Sequence, residues 1–274
     1  MPIVTLASVL QPAFKQGHAV AGLVCLGWED MCAFTRAAEQ ENVPVILQAG
    51  PGCREHTPLP VLGAMFRTLG EAATVPVVAH LDHGYSIETC REAIDCGFTS
   101  VMFDGSRMPL QQNIDETSAV AELAHAAGIS CEGEIGFVGY AEGESSAGTD
   151  PAEAAAFAQA TAIDAMAISV GNVHLQQTES AGLDVEKIHA IEAISHVPLV
   201  IHGGSGVPAP QRRALARTTK ICKFNVGTEL RMAFGSALRQ SVAADETRFD
   251  RNAILKDTID PVIAATRKVL QSMR

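Results

Sequence analysis

Apolar and polar positions along this chain repeat as a unit: a proline, about four apolar residues, one or two polar ones, then glycine. Asn42-Val43-Pro44 leads into VILQAGPG, Thr74-Val75-Pro76 into VVAHLDHG, and His196-Val197-Pro198 into LVIHGGSG. Proline suits the first position of a strand, where a missing ladder N–H is tolerated. An apolar run on both faces marks a parallel strand covered by helices. In the second copy the strand reads as residues 75–79. Looser copies at 20–26, 100–103, 129–135, 165–170 and 221–226 bring the strands to eight. Between them, apolar residues at helical spacing predict helices over 29–41, 59–73, 87–96, 110–127, 151–160, 185–194 and 208–217. Ser86 and Asp150 read as N-caps, the latter followed by Pro151 at the first helical position, and Gly97 and Gly128 as helix stops. Two more helices, 228–243 and 257–273, follow the eighth strand.

Strands alternating with helices, with no break in composition, predict an α/β fold: a single (β/α)8 TIM-type barrel over residues 1–274 with extra C-terminal helices. A doubly wound open sheet is the competing architecture, but the Gly-x-Gly-x-x-Gly fingerprint that favours it is missing.

The polar residues that interrupt the pattern share one kind of place, the last residues of the apolar runs. They are His80, Asp82 and His83 on strand three, Asp104 on four, Glu132 and Glu134 on five, Asn172 and His174 on six, His202 on seven, and Asn225 and Thr228 on eight. Active sites of such barrels lie at the C-terminal ends of the strands. Alternation puts His80 and Asp82 on one side, whereas His83 has to reach the same place from the bend after the strand. Three histidines from separate loops, with an open fourth position, suit a catalytic zinc ion. His80 competes as a ligand, its ordinary role being to orient a neighbouring side chain by hydrogen bonding. Glu132 and Glu134 share a face of strand five, where two unpaired carboxylates are costly, so a cation or a hydrogen-bond network belongs beside them. Lys223 is either the salt-bridge partner of one of them or a Schiff-base amine. The glycines around Ser205 and at Gly227 expose backbone N–H groups suited to an anion, and loops seven and eight commonly bind phosphate in these barrels. The Gly- and Ser-rich stretch 136–150 is too long for a plain connection and has the character of an active-site lid. His18, His56, His125, His189 and His196 read as ordinary core or surface histidines.

Composition narrows the partners. The 274 residues are 47% hydrophobic and 19% charged, with a net charge of -11, so no basic stripe exists to neutralise nucleic acid or an anionic membrane. No apolar run approaches a membrane span. Seven irregularly spaced cysteines without Cys-x-x-Cys, several inside apolar runs (Cys25, Cys131, Cys222), point to a reducing compartment. The N-terminal stretch has no signal-peptide pattern, and a cytoplasmic location is expected.

HLDHG at 80–84, VMFDGS at 101–106, EGEIGFVGYAEGE at 132–144, SVGNVHL at 169–175, VIHGGSG at 200–206 and KFNVGTEL at 223–230 together resemble the class II, metal-dependent ketose-bisphosphate aldolases of the fructose- and tagatose-bisphosphate type. The resemblance implies that His83, His174 and His202 hold Zn2+, which polarises the substrate ketone. It implies that Asp82 moves the C4 hydroxyl proton, that Asn225 binds the enediolate oxygens, and that Glu142 on the long loop transfers a proton at the enediolate carbon. Glu134 and Asp104 match positions for a second or displaced cation, and a monovalent cation is a further candidate. Gly203, Ser205, Gly227 and Thr228 would cradle the C1 phosphate. The family assembles as dimers or tetramers, so a homodimer or homotetramer is implied. An all-nitrogen site also suits Co2+ or Mn2+.

The chain departs from the family pattern at its substrate end. Ala-Phe-Asn on strand one is here Gly22-Leu23-Val24, the hydroxyl after strand two is Gly50, and the glycine after the strand-six histidine is Leu175. Arg248 and Arg251 are the candidates for the second-phosphate arginine. A ketose 1-phosphate, or a sugar without the distal phosphate, is therefore an alternative substrate. A non-catalytic sugar-phosphate-binding subunit is an alternative function. Zinc hydrolases on the same fold typically carry His-x-His on strand one, which this chain lacks.

Overall fold

A computed structural model describes residues 3–179 and 182–274. The strands are β1 (Val20–Val24), β2 (Val45–Ala49), β3 (Val77–Gly84), β4 (Ser100–Phe103), β5 (Ser130–Ile135), β6 (Ala165–Ile168), β7 (Leu199–Ile201) and β8 (Ile221–Val226). They pair in parallel in sequence order and close into a barrel through β8 and β1. The helices are α1 (Leu6–Gln16), α2 (Trp28–Glu41), α3 (Pro51–His56), α4 (Leu59–Ala72), α5 (Ile87–Asp95), α6 (Leu110–Ala126), α7 (Pro151–Thr161), α8 (Val185–Ile194), α9 (Ala209–Thr218), α10 (Thr228–Ala244) and α11 (Arg251–Gln271). The (β/α)8 TIM-type architecture read from the sequence is the one observed.

Local chemistry accounts for the boundaries. Pro44, Pro76 and Pro198 stand immediately before β2, β3 and β7, and the carbonyls of Pro76 and Pro198 accept from Val45 and Met166 on the neighbouring strands. Ser86 and Asp150 cap α5 and α7 with their side chains. Gly97 (φ 84°) and Gly128 (φ 73°) follow α5 and α6 in the left-handed conformation that ends helices.

Three elements differ from expectation. The stretch before β1 forms α1, capped by Thr5 and ended by Gly17 at φ 66°, with Pro12 inside it. Pro51–His56 folds as α3 directly after β2. The third strand begins at Val77 and continues through the ionisable residues to Gly84, beyond the expected 75–79.

The barrel interior is layered. At its N-terminal end, Val20, Ile46, Val78, Met102, Ala165 and Val200 pack on Leu6, Val9, Leu10 and Ala13 of α1, which closes the floor. Each fully buried aliphatic side chain here contributes about 1.5–3 kcal/mol. A larger apolar layer lies between the strands and the outer helices. Above the floor, the inward positions become Gln48, His80, Asp82, Glu132, Glu134, His202, Lys223 and Asn225, all buried. Among the described residues, no helix is long and apolar enough to cross a membrane.

Candidate active site

The end of β3 is irregular, and that irregularity brings two neighbours into one site. Leu81 pairs with Val101, but the next partner of β4 is Gly84, opposite Phe103, so the register shifts across Asp82 and His83. His83 takes a left-handed φ of 51°, a strained choice for a residue with a Cβ. Strict alternation would send Asp82 and His83 to opposite faces; the bulge turns both toward the barrel mouth. His83 thus arrives from within the strand rather than from a turn after it. Arg54 of α3 secures the distortion, donating from Nη1 to the carbonyls of Ala49 (2.7 Å) and Asp82 (2.6 Å) and from Nη2 to that of His83 (2.9 Å).

His174 follows β6 and His202 follows β7. The ring centroids lie 5.3 Å apart for His83 and His174, 4.7 Å for His83 and His202, and 5.6 Å for His174 and His202. One nitrogen from each lies within 4.8 Å of the others, and a second convergent group joins His83, Asp104 and Glu134. His83 Nδ1 donates to Asp104 Oδ2 at 2.7 Å and lies 3.7 Å from Glu134 Oε2. His202 Nδ1 and Glu134 Oε2 are buried without hydrogen-bond partners, 3.6 Å apart.

Charge in this region calls for a cation. Burial opposes a proton on His83, yet the Asp82 carboxylate, the Asp104 hydrogen bond and Glu134 prevail and raise its pKa to about 10. Burial also opposes ionisation of Asp82, but His83, His202 and Lys223 hold it below the ordinary carboxylate range. Asp104 behaves alike: its hydrogen bond to His83 overcomes burial and brings it to about 2. Burial, reinforced by Asp104, pushes Glu134 well up. Burial and the His83 charge depress His174 to about 3. In the metal-free site, the proton on His83 is the positive charge that the carboxylates require. Two neutral imidazoles, an unpartnered ring nitrogen and that proton mark a site whose donors fit a divalent ion.

A cavity of about 300 Å³ opens above the rings, lined by Asp82, His83, His174, Gly203, Ser205, Asn225, Gly227 and Thr228, among others. Asn225 Nδ2 donates to Asp82 Oδ1 at 3.4 Å. Loops seven and eight are laced at the rim: Ser205 Oγ accepts from the N–H groups of Gly227 and Glu229, each at 3.3 Å, across the start of α10. Gly203 is constrained twice, by φ 63° and by the Val173 carbonyl, which would lie 2.1 Å from an added Cβ. Asp104 and Glu134 stand behind His83 rather than on the cavity wall.

Glu142 is not brought to this cavity. It lines a neighbouring space of about 830 Å³, which shares Tyr140 and Leu175 with the first. Its loop is folded rather than loose. Phe137 and Ala147 exchange backbone hydrogen bonds at 2.8 Å, and the segment is bridged to His174, whose N–H donates to Gly139 while Ala141 N–H donates to the His174 carbonyl. The Tyr140 ring lies 5.2 Å from that of His174.

Lys223 takes the salt-bridge role, with Nζ 2.6 Å from Glu132 Oε2. His125 and His189 pair with Asp164 and Glu192 near the surface. Of the two candidate arginines, Arg248 pairs with Asp257, and Arg251 lines an outer cavity together with Arg231. Arg231 is the residue the sequence reading missed. It stands one helical turn after Thr228, lines the main cavity, and has a buried Nε without a partner. Helical spacing from Thr228 was the available signal. Gln48, with both amide atoms buried and unpartnered beside Gly22 and Asn225, was missed as well.

A closed parallel barrel with histidines and carboxylates gathered at its C-terminal mouth defines a metal-dependent barrel enzyme. The chain matches the family described as fructose-bisphosphate aldolase class-II over residues 4–274, and it belongs to that family. It is accordingly an aldolase, a carbon–carbon lyase that works with a divalent metal. A Shouchella clausii protein named 6-phospho-5-dehydro-2-deoxy-D-gluconate aldolase is 37% identical over 281 residues, covering 99% of this chain and 94% of its own. A Geobacillus stearothermophilus fructose-bisphosphate aldolase is 36% identical over 274 residues, covering 96% and 94%. The crystal structure of the YdjI aldolase from Escherichia coli superposes with a TM-score of 0.86 at 27% identity, covering 99% of this chain and 97% of that one.

Proposed function

We propose that the metal is Zn2+, held by His83, His174 and His202, and that the substrate is a ketose phosphate cleaved to dihydroxyacetone phosphate and an aldehyde. One observation carries this reading: three imidazoles from β3, β6 and β7 converge beside an ionised, buried Asp82 and an unpartnered His202 Nδ1. When bound, the ion supplies Lewis-acid polarisation of the substrate ketone. Asp82 accepts the proton of the hydroxyl on the carbon being released, the adjacent C–C bond breaks toward the aldehyde, and its electron pair moves to the ketone half. Asn225, whose Nδ2 already leans on Asp82, holds the enediolate oxygens. Glu142 returns a proton to the enediolate carbon after its loop swings in over the mouth. Gly203, Ser205, Gly227 and Thr228 receive the phosphate beside the N-terminus of the 17-residue α10. Asp104 and Glu134 offer a second seat for a cation, with His83 as the shared ligand.

Fructose and tagatose 1,6-bisphosphates are the first expectation. A second reading is favoured by Val24 and Leu175, which put apolar side chains on the cavity wall, with Arg231 the one arginine or lysine among its described lining residues. A substrate with a carboxylate or no charge at the far end suits that wall. The compound in the Shouchella clausii relative's name carries a phosphate beside its ketone and a carboxylate at its other end. We further read the protein as a cytoplasmic homo-oligomer. Its seven free cysteines, and Met232 and Val242 half-exposed on α10 near the fully exposed Phe249, support that reading.

The deciding experiment is cleavage of a panel of ketose phosphates before and after chelation. Cleavage should vanish with the metal and return with Zn2+, and the best substrate names the far end. Cleavage that survives chelation and is trapped by borohydride would transfer the chemistry to an amine. An Asp82→Asn protein should bind substrate yet turn over about 10²–10⁴-fold more slowly.

A further inference from the structure

Beneath the three histidines lies a buried chain of ionisable groups that no step above uses. His202 Nε2 is 3.3 Å from Glu132 Oε1, and the other oxygen, Oε2, accepts from Lys223 Nζ at 2.6 Å. Lys223 Nζ is also 3.4 Å from His80 Nε2, whose Nδ1 meets Ser100 Oγ at 2.9 Å. His80, Glu132, His202 and Lys223 are all fully buried. Such a chain has one consistent set of proton positions. Lys223 is donor only, so His80 Nε2 accepts and His80 Nδ1–H donates to Ser100. Glu132 bound to an ammonium is acceptor only, so His202 must carry its proton on Nε2.

We propose that Glu132, neutralised by Lys223, is a positioning residue that fixes His202 as the Nε2–H tautomer and so presents Nδ1 to the metal. Nδ1 is the ring atom left without a hydrogen-bond partner, 3.6 Å from Glu134 Oε2, and a nitrogen of this ring lies within 4.8 Å of one from each of the other two. The backbone of His202 is held too, its carbonyl accepting from Asn172 Nδ2 at 3.1 Å. Ring rotation and tautomer are thus both fixed from below. The Lys223 charge lets the carboxylate stay ionised in a water-free place where it would otherwise be costly. Lys223 has no part in covalent chemistry in this arrangement. His80 closes the far side of the ammonium, so its work is to hold Lys223 rather than to reach the ion. The inference rests on His202 being a metal ligand.

Two measurements test it. In the zinc-loaded wild-type protein with 15N-labelled histidine, His202 should show a metal-bound Nδ1 and a protonated Nε2. Coordination through Nε2 would overturn the inference while leaving the zinc aldolase intact, whereas a His202 ring with no metal on either nitrogen would remove both. The charge-neutral pair of changes Glu132→Gln with Lys223→Met should weaken Zn2+ binding, read by chelator competition, about 10–100-fold. It should also alter the visible spectrum of the Co2+-loaded protein while the metal-free protein still melts cooperatively. Wild-type affinity together with an unchanged Co2+ spectrum would overturn the proposal. If that variant does not fold, the histidine spectrum of the wild-type protein decides alone.

Discussion

The two ends of the barrel interior are made from the same strands, yet they obey opposite rules. At the floor, Val78, Ile46 and Val200 meet Leu6 and Leu10 in an apolar layer, where the buried Ser130 hydroxyl is satisfied by the Ala7 N–H at 3.0 Å. Two residues further along the same strands stand His80, Gln48 and His202. The floor is stabilised by removal of apolar surface from water. The upper layer holds groups whose burial is unfavourable unless each finds a partner, and some lack one: Gln48, Glu134 Oε2, His202 Nδ1 and Asn225 Oδ1. Stability is concentrated at one end so that unsatisfied chemistry can be maintained at the other.

The sharpest break in this comparison is His83→Ala, which removes the residue shared by both candidate cation groups. Cleavage should fall on the order of a thousandfold or more, with metal content lost, while the metal-free protein, without the His83 charge, still folds and melts only a few degrees lower. Loss of the fold instead would mean that the upper layer carries stability after all. The converse change is Leu10→Ala in the floor. It should cost about 2–5 kcal/mol in denaturant unfolding and leave zinc affinity unaltered. Reduced affinity there would show the two layers to be coupled.

Between the layers in effect stands Arg54→Met. Without its three carbonyl contacts the β3 bulge relaxes and Asp82 shifts, for a loss of about 10²-fold in kcat. A loss confined to KM would mean that Arg54 serves the cavity wall and not the bulge. The smallest effect is electrostatic. His83 has a folded pKa of about 10, raised from 6.5, so its contribution to stability is complete below 6.5 and declines as pH rises toward 10. The metal-free protein should lose a few degrees of melting temperature from pH 6.5 upward. Buried thiols add their own loss only near their ordinary value of 9.0. If His83 is a ligand as proposed, zinc loading would hold it neutral and should flatten the slope; a slope that persists with zinc bound would place the titration elsewhere.

Much of this division was legible in the chain. Proline at the strand entries and glycine past the strand ends punctuate the barrel strongly, and the polar residues at the ends of apolar runs located the site. What escaped has physical causes. The α1 plug carries Pro12 in its interior, a signal against a helix, and its role depends on a floor assembled from many strands. The bulge at His83 is a tertiary feature fixed by Arg54 from another element, and nothing in HLDHG distinguishes it from a strand that simply ends. Helical spacing from Thr228 points at Arg231, but its unpartnered Nε, like both amide atoms of Gln48, emerges only when neighbouring strands and α10 are set side by side, because an unsatisfied atom is defined by its surroundings. The position of Glu142 on the neighbouring cavity follows from backbone bridging between its loop and His174, which local spacing does not reveal.

The floor also has a consequence for how the molecule is made. The helix 6–16 precedes every strand, but the socket it fills includes Cys222 on the last one. The stopper is therefore synthesised before its socket is complete. Until the eighth strand closes the ring, a growing chain carries an oily helix with nowhere to lodge, a state prone to clumping. Closure of the ring and seating of the stopper should then arrive as one late, slow event in refolding.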